Sequence, residues 1–186
     1  MRLTLADRPL VWCNNVKYLG VYLVSGKNFK IDLTSAKLKY YRCFNSILSV
    51  IGKQQNKIAC LYLVSTYCLP KLIYGCEIMS SSSVNIHDIG TVWNNAFRHI
   101  FNCCWRESVK PLQSFCQSLP LSYLIDECRL MFFRKLPVHD NIVIKTLVAL
   151  PAVYYEYIGL CSKYDIKDPL SSRTSHVFRA FCASVF

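Results

Sequence analysis

The chain has 186 residues, enough for one full domain that buries about 70% of its unfolded surface. Hydrophobic residues make up 53% of it and its mean hydropathy is positive, which indicates a large core or an apolar surface that meets a partner. Of the formal net charge of +11, residues 1–75 carry +9, because eleven Lys and Arg residues there face only Asp7 and Asp32. A positive field of this kind attracts phosphate or anionic lipid, and the asymmetry favours a polyanion as partner.

Eleven cysteines raise the question of disulfides or metal. The first ten residues are charged and polar, unlike a secretory signal, and no C-x-x-C pair occurs. We therefore expect reduced thiols that act as small hydrophobic groups, in an intracellular protein of the nucleus or cytoplasm that is not secreted. His99 and Cys103 have the spacing of two zinc ligands on one helix. Because only two ligands are visible, we expect no metal site and no cofactor in this chain.

Two apolar runs approach the length of a membrane span, Leu61–Met79 and Leu147–Cys161. Each contains a proline and at least one charged residue, among them Lys71, Glu77 and Glu156. Charges at the middle of a span cost several kcal/mol, about 3 on insertion scales. We therefore predict no transmembrane segment and no membrane partner.

The first 31 residues have the pattern of β-structure. Arg2–Leu5 and Leu10–Cys13 are short β-prone runs around an A-D-R-P segment, which predicts a hairpin. Val16–Val24 is rich in β-branched and aromatic residues and predicts a strand, in which Gly20 marks a bulge or a close backbone approach. Residues 25–28 end the strand section.

From Asp32 onward the periodicity is helical. Apolar residues recur at steps of three and four up to Gly52, which is the predicted stop of the first helix. The opposite stripe is small or basic and consists of Ser35, Lys39, Arg42, Ser46, Ser49 and Lys53. The next helix, Asn56–Met79, is apolar on all sides with a kink at Pro70, which predicts a central position in a bundle.

The rest of the chain is also predicted to be helical. A strongly amphipathic helix begins at about Asn85, and on a later helix the apolar side is predicted to carry Leu124, Cys128, Met131 and Phe132. The helix at the end of the chain has no clear partner. The predicted ranges after the amphipathic helix are Val109–Ser118, Leu121–Leu136, Asn141–Ser162 around Pro151, and Ser171–Phe186.

The predicted fold is therefore mainly α, with an N-terminal β-hairpin and strand element packed on a bundle of about six helices. We expect three regions along the chain. These are a β element at 1–31, a helical bundle at 32–136 and a C-terminal helical connection of unassigned role at 137–186.

Four motifs occur in a defined order. They are K-Y-L-G-V-Y-L at Lys17–Leu23, T-Y-C-L-P-K-L-I-Y-G-C-E at Thr66–Glu77, W-N-x-x-F-R-x-I-F at Trp93–Phe101 and F-F-R-K-L at Phe132–Leu136. Together with the basic helix between the first two, they resemble the palm end, thumb and post-thumb region of non-LTR (LINE-type) retrotransposon reverse transcriptases. The resemblance covers about Val16–Leu136, two-thirds of the chain.

The resemblance implies a role in holding template and primer. The Y-L-G turn, Tyr18, Leu19 and Gly20, would act as a primer grip, since glycine permits close approach to a sugar–phosphate chain. The helices would lie along the minor groove of an RNA/DNA hybrid, which is recognised by shape and phosphate contact. The expected binding residues are that turn, the small and basic stripe of the first helix, Lys27 and Lys30, with Lys37 and Lys57 adding to the field.

The resemblance does not extend to the catalytic groups. Template-directed polymerisation needs two carboxylates that hold two Mg²⁺ ions, and the seven aspartates here include no adjacent pair. We therefore expect a non-catalytic fragment of an RNA-directed DNA polymerase. Its expected partners are an RNA/DNA hybrid or RNA and the upstream palm and fingers of an intact parent, where the Mg²⁺ would be held.

Other interpretations remain open at this point. Tyr18 and Leu19 are alternatively strand-core residues, and the small and basic stripe is alternatively a plain solvated helix face. The whole chain is alternatively a helical protein-interaction module or a basic helical protein at an anionic membrane surface. A decayed element without function is a further alternative.

Overall fold

The computed structural model describes residues 4–5, 8–9, 12–27, 30–52, 56–78, 84–166 and 175–185. The described part is mainly helical, with antiparallel strands only near the N-terminus, so the predicted fold class is confirmed. The chain divides into two compact units, Met1–Ser35 and Ala36–Phe186.

Five short strands belong to the first unit. They are β1 (Thr4–Leu5), β2 (Arg8–Pro9), β3 (Asn15–Tyr18), β4 (Val21–Val24) and β5 (Lys30–Asp32). The helices are α1 (Thr34–Ile51), α2 (Lys57–Tyr67), α3 (Leu69–Ile73), α4 (Val84–Phe101), α5 (Lys110–Phe115), α6 (Leu121–Lys135), α7 (Ile142–Val148), α8 (Pro151–Lys163) and α9 (Ser175–Val185), with 3₁₀ turns at Cys76–Ile78 and Leu136–Val138.

The first unit contains two small sheets. β1 pairs with β2, and β3, β4 and β5 form an antiparallel sheet in that order. Tyr18 pairs with Val21, so the chain reverses at Leu19 and Gly20, whose φ angles are 45° and 85°. Positive φ at both central residues is typical of a type I′ hairpin turn. The prediction of one continuous strand over Val16–Val24, in which Gly20 marks a bulge or a close backbone approach, was therefore wrong about its continuity.

Local signals set the ends of α1. The Asp32 carboxylate accepts a hydrogen bond of 2.9 Å from the Thr34 backbone N–H at the beginning of the helix. At its end Gly52 has φ +73° and donates its N–H to the Leu48 carbonyl at 3.0 Å, the geometry of a glycine that follows a helix. The predicted stop is confirmed. Tyr40 and Phe44 are the buried residues of this helix.

The segment predicted as one central helix consists of two helices. Asn56 caps α2 by accepting from the N–H of Ile58 at 2.9 Å, and the chain breaks at Cys68, before Pro70 in the first turn of α3. Only one face of α2 is buried. Ile58 is 53% exposed and Tyr62 is 70% exposed, so the predicted central position was wrong.

The core of the second unit centres on α4. Ile89, Trp93 and Phe97 are fully buried, and the Trp93 indole donates a 3.1 Å hydrogen bond to the carbonyl of Leu119, just before α6. Both α2 and α6 pack against this helix. The burial of one face of α4 agrees with the strong amphipathicity predicted for this helix.

Helix α6 buries a face that its sequence did not predict. Met131 is 42% exposed and Phe132 is 38% exposed, and the other two residues of the predicted face, Leu124 and Cys128, are only half-buried. The buried residues are Leu121, Ile125, Asp126, Arg129, Leu130 and Phe133. The error arose because two charged residues lie on the buried face, and burial of charge depends on partners from other helices.

Those partners come from α8 and the residue that follows it. The Asp126 carboxylate accepts hydrogen bonds from the Tyr164 hydroxyl and the Lys163 ammonium, each at 2.6 Å. Arg129, 1% exposed, forms an ion pair with Glu156. Paired in this way, the buried charges are tolerated.

The terminal helix α9 packs against α6 and α8, although the sequence showed no clear partner for it. Val177 and Phe181 enter a buried cluster with Leu130 and Phe133 of α6 and Leu160 of α8. Residues of the predicted C-terminal connection thus share a core with the end of the predicted bundle. In the described ranges no single helix is long and apolar enough to span a bilayer, although α7 and α8, bent by 64°, meet that criterion when taken together.

We predict that the folded protein loses stability in alkali. Burial, together with the hydrogen bond to Asp126, raises the pKa of Tyr164, and burial raises that of Tyr40. The unfolded chain ionises these phenols from about pH 10 upward while the folded chain keeps them neutral, so the free energy of unfolding falls by about 1.4 kcal/mol per pH unit for each tyrosine. Urea unfolding from pH 8 to 11 measures this slope.

Two variants separate the two tyrosines. The Tyr40 hydroxyl is buried without a hydrogen-bond partner among the described residues, so Tyr40→Phe should leave stability at pH 7 unchanged or higher and flatten the alkaline slope. Tyr164→Phe should flatten it too but cost about 1–3 kcal/mol at pH 7, because Asp126 loses a donor. Tyr154→Phe, at an exposed position, is the control. Equal slopes in all four proteins would contradict the prediction.

Candidate nucleic-acid interface

The small and basic stripe of α1 faces solvent. Lys39, Arg42, Ser46 and Ser49 are exposed and Ser35 is half-buried. Their spacing of three and four places them on one side of the helix, opposite the side that buries its aromatic residues in the core. Lys53, the last member of the predicted stripe, lies outside the described residues.

Lys39 and Arg42 carry the available charge of this stripe. Within the described ranges neither side chain takes part in an ion pair. Lys37 and Lys57, the two lysines that were expected to add to the positive field, contact other groups. Lys37 lies 3.3 Å from the Asp88 carboxylate, and Lys57 donates to the Phe101 carbonyl at 3.4 Å. The positive field of α1 is therefore carried by fewer side chains than the sequence suggested.

Two serines of the stripe already donate their hydroxyl hydrogens within α1. Ser46 donates its hydroxyl to the Arg42 carbonyl at 2.8 Å, and Ser49 donates to the Ser46 carbonyl at 2.9 Å. Since each hydroxyl hydrogen is already used, these serines offer small size and acceptor lone pairs rather than free donors. A surface of this kind permits close approach of a polyanion, and its attraction comes from the two cations.

The Y-L-G turn is exposed in the first unit. Tyr18 is 64% exposed and Leu19 is 73% exposed, so the alternative interpretation of these two side chains as strand core was wrong. Gly20, which completes the turn, is exposed as well, as is Lys27. For Lys30 the structure describes only the backbone, which lies in β5.

Sequence reasoning missed a contact between Lys71 and Cys43. Cys43 lies four residues after Lys39 and three before Ser46, at the border of the exposed stripe, and its thiol donates to the Tyr67 carbonyl at 3.8 Å. Partial burial opposes ionisation of this thiol, but hydrogen bonds with Lys71 and Cys68 outweigh it and lower the Cys43 pKa. The bond to Cys43 in turn raises the pKa of Lys71. Lys71 thus adds a third cation beside the stripe.

No metal site accompanies these residues in the described part of the chain, where no three His, Cys, Asp or Glu side chains are grouped to hold an ion. The exposed His99 ring packs edge-on against the buried Phe44 with centroids 6.1 Å apart. The described cysteines are all unpaired thiols.

Comparison of the chain with models of known protein families, with curated proteins and with solved structures found no match.

We predict that Lys71 activates the Cys43 thiol. Because the thiolate is the nucleophile in alkylation, Lys71→Ala should slow the reaction of Cys43 with iodoacetamide several-fold at pH 7. Peptide mass spectrometry over a time course measures the rate at each cysteine. Cys104, which is exposed, is the internal control and should react at an unchanged rate. A Cys43 rate that does not respond to the loss of Lys71 would show that the contact has no chemical effect.

We also predict that Leu19 strains the hairpin. A leucine at φ 45° adopts a backbone conformation that costs about 1–2 kcal/mol for ordinary L-residues and less for asparagine. Leu19→Asn should therefore stabilise the β3–β4 hairpin by about 0.5–1 kcal/mol, seen as slower amide hydrogen exchange in both strands. Gly20→Ala, at φ 85°, should have the opposite effect. Faster exchange in Leu19→Asn would refute the strain.

Proposed function

We propose that this chain is a non-catalytic, nucleic-acid-binding part of a non-LTR retrotransposon reverse transcriptase, holding template and primer while an upstream palm performs the chemistry. The observation that carries the proposal is the position of Lys39 and Arg42. Both are exposed on one stripe of α1 and unpaired among the described residues. The family in this proposal comes from the ordered motifs, which resemble the palm end and thumb of these enzymes.

The chemistry of the stripe suits an RNA/DNA hybrid. The minor groove of an A-like duplex is wide and shallow and is recognised through shape, sugar hydroxyls and phosphates. Ser46 and Ser49 have oxygen lone pairs that can accept from a ribose hydroxyl, whereas Lys39 and Arg42 neutralise phosphates. Binding of this type is independent of base sequence and depends strongly on salt.

The exposed turn supports the same proposal. In it, an exposed leucine with positive φ and a glycine lie at the apex of a hairpin. Backbone strain held at an exposed position is a reason to look for a function there. We assign Tyr18, Leu19 and Gly20 to contact with the primer strand, which the Leu19→Asn variant also tests. That variant should bind hybrid more weakly although its hairpin is more stable.

A helical protein-interaction module is the second candidate. It is favoured by the exposed apolar side of α2, where Ile58 and Tyr62 face solvent next to Tyr67, 58% exposed. The two functions differ in their dependence on salt, because apolar docking is insensitive to counterions and phosphate binding is not.

We predict that Lys39→Ala combined with Arg42→Ala weakens binding to an RNA/DNA hybrid. Each phosphate contact contributes about 0.7 to the slope of log affinity against log salt for single strands and about 0.9 for B-DNA. Loss of two contacts to a hybrid should therefore reduce the magnitude of this slope by about 1.4–1.8. Fluorescence anisotropy with a labelled 20-base-pair hybrid from 50 to 200 mM salt measures the slope. Hybrid should also protect Cys43 from alkylation, because that thiol borders the stripe.

The matched control removes one exposed lysine and one exposed arginine from other helices, Lys135→Ala on α6 and Arg179→Ala on α9. It changes net charge equally, so a general electrostatic effect lowers both slopes to the same extent. The proposal requires a larger loss in the α1 variant. Equal losses in the two variants, or binding to anionic liposomes in preference to hybrid at the same ionic strength, would overturn it.

A further inference from the structure

A second candidate binding surface is a cleft beside the outer face of α4. The cleft has a volume of about 610 Å³ and is bounded by α4, by the residues before and within α5 and by the beginning of α6. His87, Thr91, Asn94 and Arg98 follow one another at steps of three and four along α4, so the helical period places them on one side. The cleft is therefore lined on one wall by a polar helix face.

The charge in this cleft is positive and uncompensated. Arg98 and Lys110 line it, and none of the lining residues in the described chain is Asp or Glu. The Arg98 guanidinium donates to the Asn95 side-chain oxygen at 3.2 Å and to the Glu107 backbone carbonyl at 3.3 Å. Both acceptors are neutral groups. Among the described residues Arg98 forms no ion pair, so its positive charge is not neutralised by a carboxylate there.

Neutral donors are positioned beside these cations. Gln113, 1% exposed, donates its amide to the Asn94 side-chain oxygen at 3.1 Å. That bond occupies the acceptor of Asn94 and leaves its two amide N–H groups as donors. Val109 and Leu121 supply apolar surface to the lining of the cleft. The cleft thus combines cations, oriented donors and apolar surface, as small-molecule sites do, and its size falls within their usual range of about 300–1,000 Å³.

We propose that this cleft binds a phosphate ester of nucleotide size, with Arg98 and Lys110 on the phosphate and the apolar surface against the sugar or base. A guanidinium presents parallel N–H donors that match two phosphate oxygens, and an ammonium adds a point charge. The inference is independent of the α1 stripe and of the hybrid-binding proposal, because it uses other residues. The same chemistry is offered by a free nucleotide and by the terminal phosphate of a strand.

Isothermal titration with adenosine monophosphate tests the site in the full chain. Wild type should bind it, and Lys110→Ala should weaken binding by about tenfold, the loss of one charge-assisted contact. Arg98→Gln should weaken it at least as much. Lys135→Ala and the α1 double variant, which leave the cleft intact, should bind as wild type does. Because Lys110 is exposed, its removal tests the site even if Arg98→Gln unfolds the protein, which circular dichroism reports.

A second titration identifies the source of the phosphate. Oligonucleotides with and without a 5′-phosphate are compared in wild type and in Lys110→Ala. A preference for the phosphorylated oligonucleotide that Lys110→Ala removes assigns the cleft to a strand end, and tighter binding of adenosine monophosphate than of either oligonucleotide assigns it to a free nucleotide. No binding of adenosine monophosphate or of the 5′-phosphate, or equal affinity in wild type and Lys110→Ala, overturns the proposal.

Discussion

Burial of the apolar face of α4 is the interaction on which the second unit depends. Trp93 and Phe97 are fully buried with rings in edge-on contact, 5.2 Å between centroids, and aromatic pairs of this kind add to the free energy of burial. The Trp93 indole also binds the carbonyl of Leu119, which holds the residues before α6 against α4. Because one face of α4 is buried in the core, the opposite face is free to line the cleft.

The charges of the second unit divide into two classes with different consequences. Between α6 and α8 two ion pairs join the helices, Asp126 with Lys163 and Arg129 with Glu156, so these charges are neutralised within the protein. Among the described residues, Lys39 and Arg42 of α1 and Arg98 and Lys110 of the cleft have no carboxylate partner. A cation without a partner costs little in solvent and is available to phosphate. The composition alone does not distinguish the two classes, and the pairing does.

Helical spacing alone predicted much of the candidate interface. Lys39, Arg42, Ser46 and Ser49 follow one another at steps of three and four, and the structure leaves all four exposed because Tyr40 and Phe44 occupy the other side. What spacing could not predict is which cations stay available. Lys37 meets Asp88 across 51 residues of sequence, and Lys71 interacts with Cys43 of a different helix. The nucleic-acid role itself stays a prediction that the binding experiments decide.

The sequence by itself determined the ends of several helices, because capping acts within a few residues. Asn56 caps α2, Gly52 ends α1, and proline stands in the first turn of α3 and α8. Only the tertiary structure decided which side of α6 is buried and what covers α9. Those outcomes depend on charged and apolar partners distant in sequence, as Asp126 and Phe181 show, and no local pattern encodes the position of a distant partner.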